Sequence, residues 1–200
     1  MAVATAAQAR VYIRGLTGTS EDTVIDTLLA RADSVMASYL GLPAATVGGD
    51  PTLEDVAHTL IMDGPAGVEL RLPFYPVQSV TSVHDSADRS YGAADLIAAA
   101  DYTVHGAEGI IRLDDDGSTG SFSGGRRAIQ VVAVIGWATI PDAIVHAACI
   151  QTAHWFSARD HIGRSTVNQQ GGSINVATLG LLPEVREALA PYRLPVSWVA

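Results

Sequence analysis

Residues 134–144 read VIGWATIPDAI and join a predicted strand to a predicted helix. The strand, residues 129–135, alternates along its length, but both of its faces are apolar, which is typical of a strand covered on both sides. Pro141 and Asp142 then predict the start of a helix, because proline suits the first helical position and an acid is stabilised at the positive end of the helix dipole. Strand and helix therefore meet within this short stretch.

The chain predicts further helices on both sides of this junction. The helix that starts at Pro141 carries an apolar stripe at helical spacing. Another clear helix covers residues 19–41, with hydroxyl and acidic residues at its start and Gly41 as its stop. Short helices are predicted at residues 183–191 and at residues 3–14.

The part between Gly67 and Gly136 has the pattern of a small antiparallel sheet. Candidate strands are residues 68–72, 77–84, 102–105, 109–113 and 129–135, with a hairpin turn at 106–109. Residues 114–125 and 163–180 are rich in glycine and polar side chains and therefore predict loops.

These elements predict an α+β fold class. The expected architecture is a helical body of long antiparallel helices, at about residues 19–41 and 141–191, with an inserted small antiparallel sheet and hairpin module at about 67–136. A length of 200 residues predicts one domain, residues 1–200.

The charge of the chain excludes several classes of protein. Twelve basic residues oppose twenty-one acidic ones, which gives a net charge of −9 and an isoelectric point near 4.9. A protein that grips nucleic acid through its phosphates is basic over at least one face, and here Arg126-Arg127 is the single local basic cluster. Specific DNA binding is therefore not expected. Every basic residue is arginine, which also excludes Schiff-base chemistry and the lysine of phosphate-binding loops.

Hydropathy predicts neither a membrane protein nor a secreted one. The mean hydropathy is +0.23, but no apolar run approaches the roughly 18 residues that a spanning helix needs. Residues 1–14 lack the basic start and continuous apolar core of a signal peptide. Cys149, the single cysteine, lies in an apolar helical run and is expected to be a buried, unreactive side chain. We expect no membrane partner, and a protein kept inside a cell or inside a particle assembled there.

A search for catalytic and metal sites finds no recognisable arrangement. Nucleophile-elbow, zinc-protease and phosphate-loop spacings are absent. His146 and His154 lie about 12 Å apart on one helix, at about 1.5 Å per residue, so they cannot share a metal ion by themselves. The acidic run that starts at Asp114 does not fit a calcium loop, because the first ligand would fall on Arg112. No catalysis, metal or cofactor is expected.

The order of these elements resembles the head–tail connector, or adaptor, proteins of tailed bacteriophages and gene transfer agents. The most specific stretch is residues 134–144 with the helix that continues to residues 154–156. Similar stretches are residues 20–41, residues 70–83, the hairpin at 101–113, and residues 182–193. The resemblance covers about residues 19–193 and leaves three segments unassigned, namely residues 42–66, 84–100 and 114–125.

The resemblance implies a structural protein of the virion, assembled in the cytoplasm of a bacterial host. Adaptor proteins form a ring of twelve copies between the portal protein and the next neck, stopper or tail protein, and the ring continues the DNA channel. We therefore expect no enzyme activity, with the portal, a neck or tail protein and further copies of the chain as partners. DNA is expected to pass without specific binding, since acidic walls repel phosphate.

Two regions are expected to make these contacts. The C-terminal segment after Pro183 is predicted to dock on the portal, because residues 192–199, YRLPVSWV, are unusually apolar and aromatic for a chain end. The candidate docking residues are Tyr192, Arg193, Leu194 and Trp198. A loop that faces the channel or a neighbouring protein is predicted from Asp114, Asp115, Asp116, Arg126 and Arg127.

Two other functions stay open at this point. One is a different neck or tail-completion protein, such as a stopper. The other is a small hydrolase or anion-binding enzyme, in which the glycine-rich loop 117–125 would cradle an anion with Arg126 and Arg127 behind it. An enzyme requires a concave pocket with perturbed titratable groups, whereas a ring subunit requires flanks that meet head to tail.

Overall fold

The computed structural model describes residues 3–44, 48–159, 166–169, 172–175 and 180–193. The α-helices are α1 (Ala6–Arg10), α2 (Asp22–Leu40), α3 (Asp142–Ala158) and α4 (Pro183–Leu189). The strands are β1 (Val56–Pro65), β2 (Glu69–Arg71), β3 (Val77–Asp85), β4 (Leu96–Ile97), β5 (Tyr102–His105), β6 (Ile110–Leu113), β7 (Gly124–Ile135), β8 (Thr166–Gln169) and β9 (Gly172–Asn175). The described residues of Met1–Leu40 and Ile140–Arg193 form a helical unit, and those of Gly41–Thr139 form a β unit.

The helices α2 and α3 supply most of the core of the helical unit. α2 buries one face, formed by Ile25, Leu29, Ala32, Met36 and Leu40, because apolar residues recur there every three or four positions. α3 is buried over most of its circumference, which suits a helix that contacts α1, α2 and α4. The strands β8 and β9 come from the same part of the chain and form a two-stranded antiparallel sheet.

The β unit contains two antiparallel sheets. In the four-stranded sheet the order is β1-β7-β3-β4, so β7 is a central strand and β1 forms one edge. The three-stranded sheet has the order β2-β6-β5, and a tight turn at 106–109 joins β5 to β6. Each sheet buries one face: Val131 and Ile135 of β7 and Leu70 and Ile111 of the three-stranded sheet all belong to the core.

The part of the opposite face of the four-stranded sheet that extends from residue 57 to residue 61 of β1 and across the neighbouring strands, called the outer face below, carries no Asp, Glu or Arg side chain. Its side chains are Ala57, Thr59 and Ile61 of β1, Gln130, Val132 and Val134 of β7, Ser79, Ser82 and His84 of β3, and Leu96 of β4. The exposed Asp63 of β1 and Arg126 of β7 lie beyond it, towards the bulge. The register places them in rows across the strands, with Thr59 beside Val132 and Ile61 beside Gln130. Ile61 is 40% exposed, which is a large fraction for an apolar side chain in a sheet.

The prediction of a helical body built from long helices is wrong, because the fold is β-rich. Among the described residues nine strands accompany four α-helices, of which the longest has 19 residues. The main omission is β1, which lies in the segment 42–66 that sequence analysis leaves unassigned. Its sequence, VAHTLIMDGP, mixes apolar and polar residues without strict alternation, so periodicity indicates no strand there.

Two stretches with loop composition also contain strands. β7 begins at Gly124, inside the glycine-rich stretch 114–125, and β8 and β9 lie inside residues 163–180. Glycine lowers the intrinsic preference for a strand, but pairing with a neighbouring strand overrides that preference. The prediction of one domain over residues 1–200 stays a prediction.

Candidate functional site

Gln151 holds the start of α4 against α3. Its side chain is fully buried on α3 although it is polar. The Gln151 Nε2 donates a hydrogen bond to the Gly180 carbonyl oxygen at 3.3 Å, and the Gln151 Oε1 accepts one from the Leu182 backbone N–H at 2.9 Å. Both backbone groups lie just before α4, which itself buries Val185 and Leu189. One side-chain amide thus fixes the segment that leads into α4.

Replacing Gln151 with leucine is expected to loosen α4. Leucine has a similar volume but makes neither hydrogen bond, and each lost hydrogen bond costs about 0.5 to 1.5 kcal/mol net. We expect amide hydrogen exchange over residues 183–189 to become at least about tenfold faster, since about 1.4 kcal/mol is a factor of ten. Gln130→Leu is the matched control, because Gln130 is only half-buried. Exchange at the wild-type rate in Gln151→Leu would show that Gln151 does not hold α4.

The predicted docking residues follow directly after α4. A 3-10 turn ends at Tyr192, and the Arg193 guanidinium lies over the Tyr39 ring of α2, 5.2 Å from the ring centre. This cation–π contact fixes the position of Arg193 on the helical unit. Tyr192 is half-buried and Arg193 is exposed. Leu194 and Trp198 lie outside the described residues, so portal docking stays a prediction.

The acidic run of the predicted channel-facing loop lies in a turn after β6. The Asp114 Oδ1 accepts a hydrogen bond from the Thr103 hydroxyl at 2.9 Å. The Asp101 carboxylate accepts hydrogen bonds from both the backbone N–H and the hydroxyl of Ser118. The two aspartates that follow Asp114 are exposed. The loop therefore presents two carboxylates from a turn that hydrogen bonds hold in place.

The two arginines of the predicted loop belong to the four-stranded sheet, whereas the acidic run follows β6 of the three-stranded sheet. Arg126 and Arg127 are exposed residues of β7, in the four-stranded sheet. The Arg127 backbone is held on two sides: its N–H donates to Asp63 Oδ1 at 2.7 Å, and its carbonyl oxygen accepts from the Tyr91 hydroxyl at 2.5 Å. Within the described ranges, no ion pair joins either arginine to the acidic run.

Arginines of the helical unit make contacts inside that unit. The Arg10 Nη2 lies 2.7 Å from both carboxylate oxygens of Asp22, and the Arg159 Nη1 lies 2.9 Å from Glu21 Oε2. The Arg31 guanidinium lies over a tryptophan ring of α3, 4.7 Å from its centre. These contacts hold three arginines of the helical unit against side chains of the same unit.

An open groove of about 280 Å³ lies between α1 and α3 in the helical unit. The groove is lined by Gln8, Val11, Tyr12, Asp142, Val145, His146 and Cys149. The Tyr12 hydroxyl and His146 Nδ1 are 2.7 Å apart and share a hydrogen bond. Cys149 is buried, as expected, and burial raises the pKa of its thiol. The groove joins two helices and holds no activated nucleophile at that cysteine.

Residues 86–95, in a segment that sequence analysis leaves unassigned, form a hydrogen-bonded loop. The buried Ser86 hydroxyl donates to Asp88 Oδ1 at 2.8 Å and accepts from the Ser90 N–H at 3.0 Å. The Ser90 hydroxyl donates to Asp95 Oδ2 at 2.8 Å. The hydrogen bond from Ser86 lowers the pKa of Asp88, and the one from Ser90 lowers the pKa of Asp95, because each favours the ionised carboxylate. The loop therefore keeps two negative charges at neutral pH.

The described ranges contain neither a metal-binding cluster nor a membrane-spanning helix. Within them, no group of three histidine, cysteine or acidic side chains is arranged to hold a metal ion. None of the helices in those ranges has the length and apolar character needed to cross a bilayer.

A match to the head completion protein family covers residues 4–194 and thus both units of the chain. The chain belongs to the head completion protein family. This membership confirms the resemblance to head–tail connector proteins and the structural role in head–tail joining that the resemblance implies. As a head completion protein, the chain is a structural component of the virion. A comparison with curated protein sequences gives no match.

Solved structures with a similar fold come from gene transfer agent (GTA) particles. A chain in the neck of an empty GTA particle, computed with C6 symmetry, matches with a TM-score of 0.55 and 16% identity over 95% of this chain and 88% of that one. A chain in the virion of a native GTA particle gives the same score and identity, over 95% and 89%. A chain in the neck of a native GTA particle, computed with C12 symmetry, matches with a TM-score of 0.51 and 14% identity over 87% and 84%. At these identities the likeness shows a shared fold.

Proposed function

We propose that this head completion protein forms the adaptor ring of a neck, between the portal and the next stopper or tail protein. The observation that carries the proposal is the family match over residues 4–194. The proposal is supported by a fold that is shared, over most of both chains, with proteins in GTA necks. The structure of one of these necks was computed with C12 symmetry. A ring of twelve copies is the arrangement that we propose for this chain.

The charge of the chain supports a channel that DNA traverses without binding. Each copy carries −9, so twelve copies carry −108. A ring of this sign repels phosphate, and DNA inside it would not adhere to the wall. We place the exposed carboxylates after Asp114 among the groups that face either the channel or the next neck protein.

We propose that the C-terminal residues dock on the portal, with Tyr192, Arg193, Leu194 and Trp198 as the contact residues. The geometry of α4 supports this assignment. Gln151 and the buried face of α4 hold the helix on the helical unit, and Arg193 is held over Tyr39. The chain that follows therefore starts from a fixed point, which reduces the entropy lost when it binds a partner.

We also propose that the protein has no catalytic activity. The alternative, an anion-binding enzyme, places Arg126 and Arg127 behind a glycine-rich loop. In the structure Gly124 and Gly125 belong to β7 and lie opposite Pro65 and Gly64 of β1. Strand pairing uses the backbone of these two glycines, which are therefore not available to cradle an anion in front of Arg126 and Arg127.

Purified protein is expected to be a monomer by itself and a ring on its portal. The charge of −9 opposes association of free copies, whereas a portal aligns neighbouring copies at high local concentration. Light scattering behind a sizing column should give about the mass of one chain, 20.9 kDa. Electron microscopy of the protein mixed with portal should show an added ring at one end of the portal.

The control for this experiment is the same mixture with a portal from an unrelated particle, which should gain no ring. A stable twelve-subunit ring at micromolar concentration without portal would contradict the monomer. Binding to a purified tail end but not to the portal would assign the protein to another position in the neck.

A further inference from the structure

The strand β1 offers a long edge that is not paired on its outer side. It pairs with β7 along one side, and among the described strands none pairs with the other side. Every second residue of an edge strand directs its backbone N–H and C=O away from the sheet, where they can pair with another chain. Proteins usually protect such an edge with lysine, proline or a bulge. In β1 the bulge, Asp63 and Pro65 all come at its end, so the part from Val56 to Met62 carries none of these devices.

The surface beside this edge is suited to contact between copies of an acidic chain. Ala57, Thr59 and Ile61 are exposed on the outer face, next to the half-buried Val132 and Val134. The ten side chains of the outer face include no Asp, Glu or Arg, although the whole chain carries −9. Two copies that meet here avoid the repulsion that their net charges would cause at most other surfaces.

The chain also contains a short strand pair with no further strand beside it among the described residues. β8 and β9 have four residues each and pair only with each other among the described strands. An isolated two-stranded hairpin of this length is at best marginally stable in water, and it gains stability from a further strand or from packing against a helix. The two strands read TVNQ and GSIN and contain no charged residue, like the outer face beside β1.

We propose that the β8–β9 hairpin of one copy adds to the β1 edge of the next copy. The four-stranded sheet would then continue across the boundary between two subunits. This inference rests on the ring described under the proposed function. A closed ring needs head-to-tail interfaces made from two different surfaces, which a hairpin and a strand edge provide. Pairing of β1 with β1 would instead give a two-fold dimer and stop there.

The size of this contact agrees with assembly on the portal rather than in free solution. One four-residue strand adds only a few main-chain hydrogen bonds, each worth about 0.5 to 1.5 kcal/mol net. Such a contact does not hold two free acidic copies together at micromolar concentration. Copies that the portal has already placed side by side gain it as an effectively intramolecular contact.

Disulfide cross-linking tests the contact between copies. Two protein preparations are used, and each carries one of the two introduced cysteines. One preparation carries Thr59→Cys, and the other carries a cysteine at one of the eight positions 166–169 and 172–175, each made in turn. Both preparations keep Cys149, which is buried. They are mixed, assembled on portal and oxidised. We expect disulfide-linked pairs of two chains for at least one of the eight positions, because neighbouring side chains on one sheet face lie within disulfide reach.

Val68→Cys is the matched control in the same mixture. Val68 is 40% exposed, the same fraction as Ile61, but precedes the three-stranded sheet. It should give no linked pairs. A portal-bound ring in which no position links to residue 59, or in which Val68→Cys links equally well, would overturn the strand addition and leave the proposed function intact. If wild-type protein forms no ring on portal, the proposed function fails and the strand addition fails with it.

A charge at the edge provides a second test without oxidation. Ile61→Lys places a cation on the exposed outer face, and Val68→Lys is its control at equal exposure. Lysine at an edge strand opposes strand addition. We expect Ile61→Lys to require about tenfold more protein to complete the ring on portal, which corresponds to about 1.4 kcal/mol. Ring completion at the wild-type concentration by a folded Ile61→Lys protein would contradict the inference.

Discussion

Replacing Gly136 with alanine is expected to destabilise the β unit by about 2 to 6 kcal/mol. Gly136 has a φ of +120°, a conformation that costs other residues about 1 to 3 kcal/mol. A Cβ at this position would overlap the backbone carbonyl of Glu54, and overpacking of this kind costs about 1 to 3 kcal/mol more. A typical domain has only about 5 to 15 kcal/mol of net stability, so much of it would be lost.

The contacts around Gly136 explain why the chain cannot move aside. Its N–H donates to the Pro76 carbonyl at 3.0 Å, and its carbonyl accepts from the Gln78 side chain at 2.8 Å. The next N–H, that of Trp137, donates to the Leu53 carbonyl at 3.0 Å. A shift that relieved the overlap would therefore break hydrogen bonds on both sides of the junction.

Urea unfolding followed by circular dichroism measures this effect. Gly120→Ala is the control, since nothing lies within 4 Å of a Cβ added there and no positive φ applies. The control should stay within about 0.5 kcal/mol of wild type, as surface substitutions usually do. A Gly136→Ala protein as stable as the control would show that the junction tolerates a side chain.

A chain that stops after Arg193 is expected to keep its fold and to lose most of its affinity for the portal. The truncation removes Leu194 and Trp198 but retains α4, the Gln151 hydrogen bonds and the contact of Arg193 with Tyr39. A single interface hot spot contributes about 2 kcal/mol or more, so we expect portal affinity to fall at least about thirtyfold. Circular dichroism should show unchanged helix content, and heads carrying this protein should fill with DNA without gaining tails.

Two further variants make the truncation decisive. Trp198→Ala in the full-length chain should reproduce most of the loss if that tryptophan is the anchor. Val11→Ala, at an 82% exposed apolar residue of the N-terminal part, should bind portal like wild type. Normal joining of heads to tails by the truncated protein would assign portal docking to another surface.

Local signals predicted the junction between strand and helix well. α3 begins at Asp142 with Pro141 as its N-cap, one residue later than predicted. The strand before Gly136 buries only one of its two apolar faces and leaves Gln130, Val132 and Val134 half-buried. The start of α3 depends on the backbone preferences of a few adjacent residues. The helix over residues 19–41 was equally predictable, because one apolar face recurs along all of α2.

The missed features depend on contacts between residues far apart in the chain. β1 becomes a strand because it pairs with β7, about seventy residues later, while its own sequence has no period-two pattern. The role of Gln151 depends on Gly180 and Leu182, which follow a long glycine-containing stretch. One signal was available: a glutamine inside an otherwise apolar helix indicates a buried polar group that needs partners. The docking residues came from a family resemblance and the composition of the chain end.

The split of the helical unit into two chain segments determines the order in which a ribosome delivers its parts. α2 leaves the ribosome early, but its partner α3 follows only after the whole of Gly41–Thr139 has been made. At about 5 to 20 residues per second, the apolar face of α2 stays uncovered for roughly 5 to 20 seconds. The β unit is complete before α3 emerges, so it can fold within that interval. Nascent chains of this protein therefore expose α2 to chaperones during translation, and the helical unit is the last part to close.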